Sequence, residues 1–164
     1  MEKKQIQEAR MRGYFLESAK NLIKGEGLKS ISVRNVAHHA GYSYATLYNY
    51  FQDINDLLFR CVEDFCREAE EFVAAKTKER EGIEGVKAVS RAYVAYFTEY
   101  PGVFELFFLE RMGDFGNKPQ TANLITGFFD RLSAPHWEEA VAKGEITPEK
   151  AAKANAQLRY ILPG

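Results

Sequence analysis

The chain has 164 residues, 46% hydrophobic and 13% aromatic, with 22 Lys and Arg against 23 Asp and Glu. This composition excludes a disordered chain, which would hold fewer aromatics, and a collagen-like chain, which would need far more than 12 Gly and 5 Pro. The length suits one ordinary domain, or a small domain joined to a larger one. The charged start, MEKKQIQEARMRGYF, is not a secretory signal, and no run of about 18 apolar residues predicts a membrane span. We expect a cytoplasmic protein in which Cys61 and Cys66 stay reduced, with a redox-sensing pair as the alternative.

Helical spacing of apolar residues begins near the start of the chain. One stripe, with intervals of three and four residues, predicts a first helix that ends at Gly25 and Gly27. The stripe consists of Ile6, Ala9, Gly13, Leu16, Ala19 and Ile23.

Two short helices follow, separated by a glycine. Ser32 can cap the first, and Gly41 stops it. Ser43 can cap the second, in which Leu47 and Phe51 share an inner face. A short helix, a tight turn and a second short helix make a helix-turn-helix. Asp53, with an acid three residues on, then caps a long fourth helix that frays between residues 76 and 81.

The rest of the chain keeps the helical period. Gly82 and Gly85 mark the next break, Pro101-Gly102 ends the helix after it, and residues 113–119 predict a loop. Pro135 is expected to kink or interrupt a later helix. Since no segment alternates like a strand, we predict an all-α fold.

The charge is unevenly distributed. A net charge of −1 argues, at first sight, against a nucleic-acid partner. Residues 1–60 hold nine basic and six acidic residues (net +3), and residues 61–164 hold thirteen and seventeen (net −4), which together give −1. The window 27–52 holds no Asp or Glu but does hold Lys29 and Arg34. Carboxylates are unfavourable on a surface that approaches phosphates, so this window is a candidate DNA-facing surface, with a chance acid-free run as the alternative.

The second helix of the helix-turn-helix is the element that enters the major groove in this motif. Here it reads SYATLYNYF. With its apolar positions turned inward, a set of hydroxyl, amide and small side chains is left to point outward or to sit at the edges, where it suits phosphates and base edges. This set is Tyr44, Ala45, Thr46, Tyr48, Asn49 and Tyr50.

Residues 14–65 resemble the DNA-binding domain of TetR-type transcriptional regulators. The segment ISVRNVAHHAGYSYATLYNYFQDINDLL follows the family pattern over most of its length. The resemblance implies a DNA-binding domain over residues 1–53 and a helical effector-binding and dimerisation domain over residues 54–164. It also implies DNA contacts from Ser32, Arg34, Ser43 and the start of the recognition helix, and phosphate contacts from Tyr48 and Tyr50, although a purely structural role for Tyr48 is the alternative.

Two departures from the family pattern affect these expectations. Family members commonly carry a phosphate-binding lysine where this chain has Ile54, so we expect a weaker hold on the DNA backbone. The family's dimer uses the last two helices of each subunit, and we expect this chain to lack the second of them. We still expect a homodimer, because reading two half-sites gains affinity and register from dimerisation.

Aromatic residues are concentrated in the C-terminal part of the chain. Each could simply be a core residue, but the resemblance implies that some line an effector cavity between helices. The candidates are Tyr93, Tyr96, Phe97, Tyr100, Phe104, Phe107, Phe108, Phe128 and Trp137, with Asn123, Arg91 and Glu105 as further polar contacts.

These observations predict a ligand-responsive repressor of operator DNA whose effector is small and largely apolar or aromatic. The alternative is a helical small-molecule binding protein with weakened or lost DNA binding, and a helical enzyme is a third possibility. No cofactor or metal is expected: His38 and His39 are adjacent on a helix and diverge by about 100°, so they cannot chelate one ion.

Overall fold

The computed structural model describes residues 2–109 and 119–162, and every regular element in these ranges is helical. The all-α prediction is therefore confirmed. A single 3-10 turn (Leu28–Ser30) follows the first helix, and a π-helical turn (Glu105–Leu109) follows the sixth. None of the described helices is long and apolar enough to span a membrane. The α-helices are α1 (Lys3–Glu26), α2 (Val33–Ala40), α3 (Tyr44–Tyr48), α4 (Ile54–Thr77), α5 (Gly82–Glu99), α6 (Pro101–Phe104), α7 (Pro119–Ile125), α8 (Phe128–Ala142) and α9 (Pro148–Ile161).

The chain forms two compact units. The first unit contains residues 1–65 and 100–118, and the second contains residues 66–99 and 119–164. The chain passes from the first unit to the second within α4, returns after residue 99, and passes back after residue 118. The predicted boundary between residues 53 and 54 separates functions, and it stays a prediction.

The core of the first unit is built on the second half of α1. Phe15 is fully buried, and its ring lies 5.5 Å from Tyr42, 6.0 Å from Tyr50 and 6.4 Å from Phe51. Ala19 and Ile23 continue this buried face, as the sequence predicts. The predicted first helix is confirmed, but the first half of its apolar stripe is not buried: Ile6 is 46% exposed, and Ala9 and Gly13 are exposed as well. Apolar spacing identifies one face of a helix, but it does not show that another element covers that face.

A buried serine links α1 to α2. Ser18 Oγ donates to the Val36 carbonyl over 2.8 Å, and His39 Nδ1 lies 3.0 Å from the same oxygen. Because the Ser18 hydroxyl proton is used in the bond to the carbonyl, Ser18 Oγ accepts a hydrogen bond from the His39 Nδ1–H. This pair of bonds crosses between two helices and fixes α2 on the side of α1.

Glycine allows a close approach of α6 to α1. A Cβ at Gly102 would collide with the Ile23 carbonyl oxygen and lie 3.0 Å from Gly27 Cα. Gly102 is buried, so its missing side chain is the space that lets the two backbones meet. The Gly27 turn beside it is held by Glu105, whose Oε2 accepts from the Leu28 backbone N–H over 3.3 Å.

The second unit is organised around the contact of α5 with α8. The helix α5 begins at Gly82 and runs through Gly85, so the predicted break at Gly85 is wrong. Gly85 instead lies against the His136 ring, where a Cβ would clash. An interruption at Pro135 is excluded, since α8 is one continuous helix, and the alternative of a kink there stays a prediction. Pro135 is exposed, so solvent can satisfy the carbonyl that its missing N–H leaves without a partner. Of the predicted loop 113–119, residues 113–118 lie outside the described residues and Pro119 begins α7.

Candidate nucleic-acid interface

Two serine caps and one glycine shape the turn between α2 and α3. Ser32 Oγ accepts from the Asn35 backbone N–H over 3.1 Å, and Ser43 Oγ accepts from the Thr46 N–H over 3.2 Å. Gly41 has φ +81° and ψ +24°, the left-handed conformation that ends α2. Both predicted caps and the predicted turn are confirmed. Each cap satisfies a backbone donor that the first turn of a helix leaves open.

The inner side of this motif is apolar and closed. Leu47 is fully buried and Phe51 is 3% exposed, as predicted from their spacing. Val36 and Ala37 on α2 are buried with them. Because these residues are enclosed in the first unit, the orientation of α3 is fixed by packing.

The outer side of α3 presents tyrosine rings to solvent. Tyr44 is 53% exposed and Tyr48 is 52% exposed, while Ala45 and Asn49 are exposed and Thr46 is half-buried. Tyr50 differs from the others because it is half-buried with its ring beside Phe15. The structure therefore brings Tyr44, Ala45, Tyr48 and Asn49 to one accessible surface and gives Tyr50 a packing role as well.

Two contacts connect side chains on this surface. The Arg34 guanidinium lies 5.8 Å from the centre of the Tyr44 ring, a cation–π contact that bridges α2 and α3. Thr46 Oγ1 and Ser43 Oγ lie 2.9 Å apart. These contacts order Arg34 and Thr46, and the Arg34 N–H groups can donate hydrogen bonds to an anion.

The acid closest in sequence to this surface is turned towards its own helix. Asp53 Oδ1 accepts from the Asp56 N–H over 2.8 Å, and Asp56 Oδ2 accepts from the Gln52 N–H over 3.2 Å. This reciprocal pair caps the start of α4, as predicted for Asp53. The Asp53 carboxylate therefore accepts a hydrogen bond from the backbone at the start of α4.

The geometry now matches a known family. Residues 15–61 match the model of bacterial regulatory proteins of the tetR family. This match covers the N-terminal helix-turn-helix part of the chain, which is similar to the DNA-binding domain of that family. Among curated proteins, none matches this chain.

Solved structures share the fold. A TetR family transcription regulator from Marinobacter aquaeolei VT8 is 21% identical, with a TM-score of 0.57 over 80% of this chain and 69% of that one. A protein from Mesorhizobium loti MAFF303099 assigned to the TetR family is 19% identical, with a TM-score of 0.62 over 84% and 71%. The multidrug binding protein EbrR, complexed with imidazole, is 17% identical, with a TM-score of 0.57 over 88% and 74%. At these identities the likeness concerns the fold.

One aromatic pair beside the helix-turn-helix was not predicted from the sequence. Tyr14 on α1 and Tyr42 in the turn after Gly41 are stacked, with ring centres 6.4 Å apart and planes inclined by 17°. They are 49% and 38% exposed. A tyrosine directly after the turn glycine was the available signal, but its partner in α1 is 28 positions away in the chain.

The aromatic residues predicted as effector contacts divide between the two units. Tyr93, Tyr96, Phe97 and Phe128 lie in the second unit and are buried. The Tyr93 ring is 5.0 Å from Phe97 and 6.1 Å from Phe128. Burial raises the pKa of the Tyr93 hydroxyl well above its ordinary value, so this group is neutral. These rings form the packed core of the unit, and their contact with an effector stays a prediction.

The other candidates have different surroundings. Tyr100, Phe104, Phe107 and Phe108 belong to the first unit, where the Lys24 ammonium lies 4.7 Å from the Tyr100 ring. The ring of Phe108 is 5.2 Å from Phe104 and 5.8 Å from Phe107.

Trp137 is placed by a polar network between α8 and α9. Its Nε1 donates to Asn155 Oδ1 over 3.0 Å, and Asn155 Nδ2 donates to Asp130 Oδ1 over 2.9 Å. Arg159 Nε donates to the same carboxylate oxygen over 2.9 Å. This network fixes the indole from its polar edge, and sequence spacing did not indicate Asn155 as the partner.

Proposed function

We propose that this protein is a repressor that binds double-stranded operator DNA through α3 and is released from it by a small, largely apolar or aromatic effector. The observation that carries the proposal is the two-sided character of α3. Its Leu47 side is buried, while its Tyr44 and Tyr48 side is accessible and free of acidic residues. An exposed surface rich in tyrosine supplies hydroxyl donors for phosphates and ring faces for base edges.

The residues proposed to contact DNA fall into two groups. Ser32 and Arg34 lie at the start of α2, and Ser43, Thr46, Tyr48 and Tyr50 lie along α3 and just after it. Tyr44, Ala45 and Asn49 complete the accessible surface. Ser32, Arg34, Tyr48 and Tyr50 would hold the phosphate backbone. The start of α3, with Tyr44, Ala45 and Thr46, would read base edges, which is how helix-turn-helix proteins divide positioning from specificity.

Release requires that effector binding shifts the balance between two conformations. The proposed effector contacts are the predicted aromatic residues Tyr93, Tyr96, Phe97, Tyr100, Phe104, Phe107, Phe108, Phe128 and Trp137. EbrR, which shares the fold, is described as a multidrug binding protein complexed with imidazole. That description supports, by analogy alone, an aromatic ligand in this chain. We also propose a homodimer, which light scattering at tens of micromolar protein would test by its mass.

A gel shift tests the function directly. Purified protein is mixed with a duplex from the region upstream of its own gene, with and without candidate aromatic effectors. The proposal predicts a discrete shifted band that candidate effectors diminish. A band that forms equally on unrelated duplex, or no band at all, favours the alternative of a helical small-molecule binding protein. The presence of Ile54, where family members commonly carry a phosphate-binding lysine, supports that alternative.

A further inference from the structure

The second unit contains a cleft of about 360 Å³ beside the C-terminal end of α4. One wall is a stripe of α5 with helical spacing, from Glu84 through Ala88 to Ala95. The opposite wall is formed by Lys76 and by Arg80, which follows α4. This volume lies within the range of about 300–1,000 Å³ that is usual for small-molecule sites.

Cations outnumber carboxylates in the lining of this cleft. Lys76, Arg80 and Arg91 make no ion pair with any residue that the structure describes. Glu84 is the acid in the lining; its Oε1 accepts from Lys87 Nζ over 2.7 Å, and it also interacts electrostatically with Arg91 and Arg80. Three cations and one carboxylate give the lining a net positive charge.

The positive lining contrasts with the charge of the sequence around it. Residues 61–164 hold thirteen basic and seventeen acidic residues, a net of −4. Three cations and one carboxylate around one cleft produce a local positive potential that attracts an anion.

The floor of the cleft is small and apolar. It consists of Ala88, Ala92 and Ala95, of which Ala92 is 4% exposed. Alanine side chains offer no hydrogen bonds, so the floor suits an apolar group and gives nothing to a fully hydrated inorganic ion. Larger residues at these positions would occupy the space.

We propose that this cleft binds a small organic carboxylate, with Arg80 and Arg91 on the carboxylate and the alanine floor under a compact apolar group. Arginine is suited to this task because its planar guanidinium can donate two parallel hydrogen bonds to one carboxylate. The described lining of this cleft contains none of the aromatic residues proposed as effector contacts. The carboxylate site is therefore separate from them and goes beyond the proposed function, and it does not depend on DNA.

Isothermal titration of the full chain at low salt tests the site, with benzoate as the probe. Benzyl alcohol and benzylamine serve as neutral and cationic probes of the same shape, and inorganic phosphate serves as an anion without an apolar group. We expect saturable 1:1 binding of benzoate and binding of the other three that is weaker by about tenfold or more.

Substitutions locate the binding. Arg80→Gln and Arg91→Gln are each expected to weaken benzoate binding by about five- to tenfold, and Glu84→Gln is expected to strengthen it because it removes the negative charge of the lining. Lys150→Gln, an exposed cation of α9, is the matched control and is expected to change nothing. Ala88→Leu is expected to abolish binding by filling the floor, with its folding checked by circular dichroism.

Four results would overturn the proposal: no saturation by benzoate, equal binding of benzyl alcohol, phosphate binding as tightly as benzoate, or parental affinity in Arg80→Gln and Arg91→Gln. None of these measurements contains DNA. A failed gel shift with intact benzoate binding would therefore reject the repressor and leave the carboxylate site standing.

Discussion

Replacing Ser18 with alanine tests the link between α1 and the helix-turn-helix. The serine is 4% exposed, and its hydroxyl bonds the Val36 carbonyl and His39 Nδ1. A net hydrogen bond contributes about 0.5–1.5 kcal/mol, and more is lost when a buried partner stays unsatisfied. His39 is exposed and regains a bond to water, so the loss concerns mainly the carbonyl side. We expect Ser18→Ala to lower the free energy of unfolding by about 1–2 kcal/mol.

Urea titration and thermal melting, both followed by circular dichroism, measure this change. For a chain of this length each kcal/mol corresponds to about 2–4 °C in Tm, which predicts a fall of about 2–8 °C. Ser90→Ala is the matched control. Its hydroxyl donates over 3.0 Å to the Val86 carbonyl of its own helix, so alanine is expected to change the free energy by less than about 0.5 kcal/mol.

A change in Ser18→Ala no larger than that in Ser90→Ala would refute the reasoning. It would mean that the bonds between α1 and α2 contribute no more than a bond within one helix. The orientation of α3 would then depend on apolar packing alone.

The remaining predictions concern backbone space, pH and charge. Gly102→Ala is expected to lower the free energy of unfolding by about 3 kcal/mol, because the added Cβ would meet the backbone of α1. Gly13→Ala, whose Cβ would have nothing within 4 Å, is expected to raise it by about 0.5–1 kcal/mol. Chemical denaturation compares the two variants. Burial raises the pKa of Tyr93 in the folded state, and an unfolded tyrosine loses its proton near about 10, so stability falls as pH rises above about 10, by up to about 1.4 kcal/mol per pH unit. Denaturation at pH 9–11 should show a flatter dependence in Tyr93→Phe than in the parent, and an unchanged one in Tyr160→Phe, whose ring is 94% exposed; equal slopes would contradict the assignment. The proposed DNA-binding surface carries few basic side chains, so the salt dependence of binding should be shallow. Ile54→Lys should tighten binding and steepen the slope by about one phosphate contact, measured by fluorescence anisotropy from low to moderate salt. A steep slope in the parent would contradict this.

Features governed by nearby residues could be predicted from the sequence. The Ser32, Ser43 and Asp53 caps each depend on a side chain and a backbone N–H three residues apart. The buried positions of Leu47 and Phe51 follow from helical spacing within one motif. These rules are local, so one sequence is sufficient to apply them.

Features governed by distant partners could not be predicted. Ile6 continues an apolar stripe, yet the described residues leave it 46% exposed. Gly85 predicts a helix break, yet it lies within α5, where its missing side chain leaves room for the His136 ring. The Tyr14–Tyr42 stack and the Asn155 partner of Trp137 join positions far apart in the chain. In each case the outcome depends on which residue, if any, packs against the position. The spacing of residues within one helix does not identify that partner.

The same distinction applies to the candidate sites. The outward set on α3 follows from removing its buried positions, and the accessible rings of Tyr44 and Tyr48 agree with it. The predicted effector contacts rest on aromatic content, which a packed core and a binding cavity share. The cleft with Arg80 and Arg91 depends on charges from different helices, so only the structure brings it together.

The central claim is that the outer side of α3 reads DNA, and the affinity of Tyr48→Ala and Thr46→Ala tests it most directly. The assay is fluorescence anisotropy with a duplex that the parent protein selects from a random library, at one fixed salt concentration. The account predicts that both variants lose about tenfold or more in affinity while their Tm stays near that of the parent, and that Lys150→Ala binds unchanged. Parental affinity in both variants, or a library from which the parent selects no sequence, would contradict it.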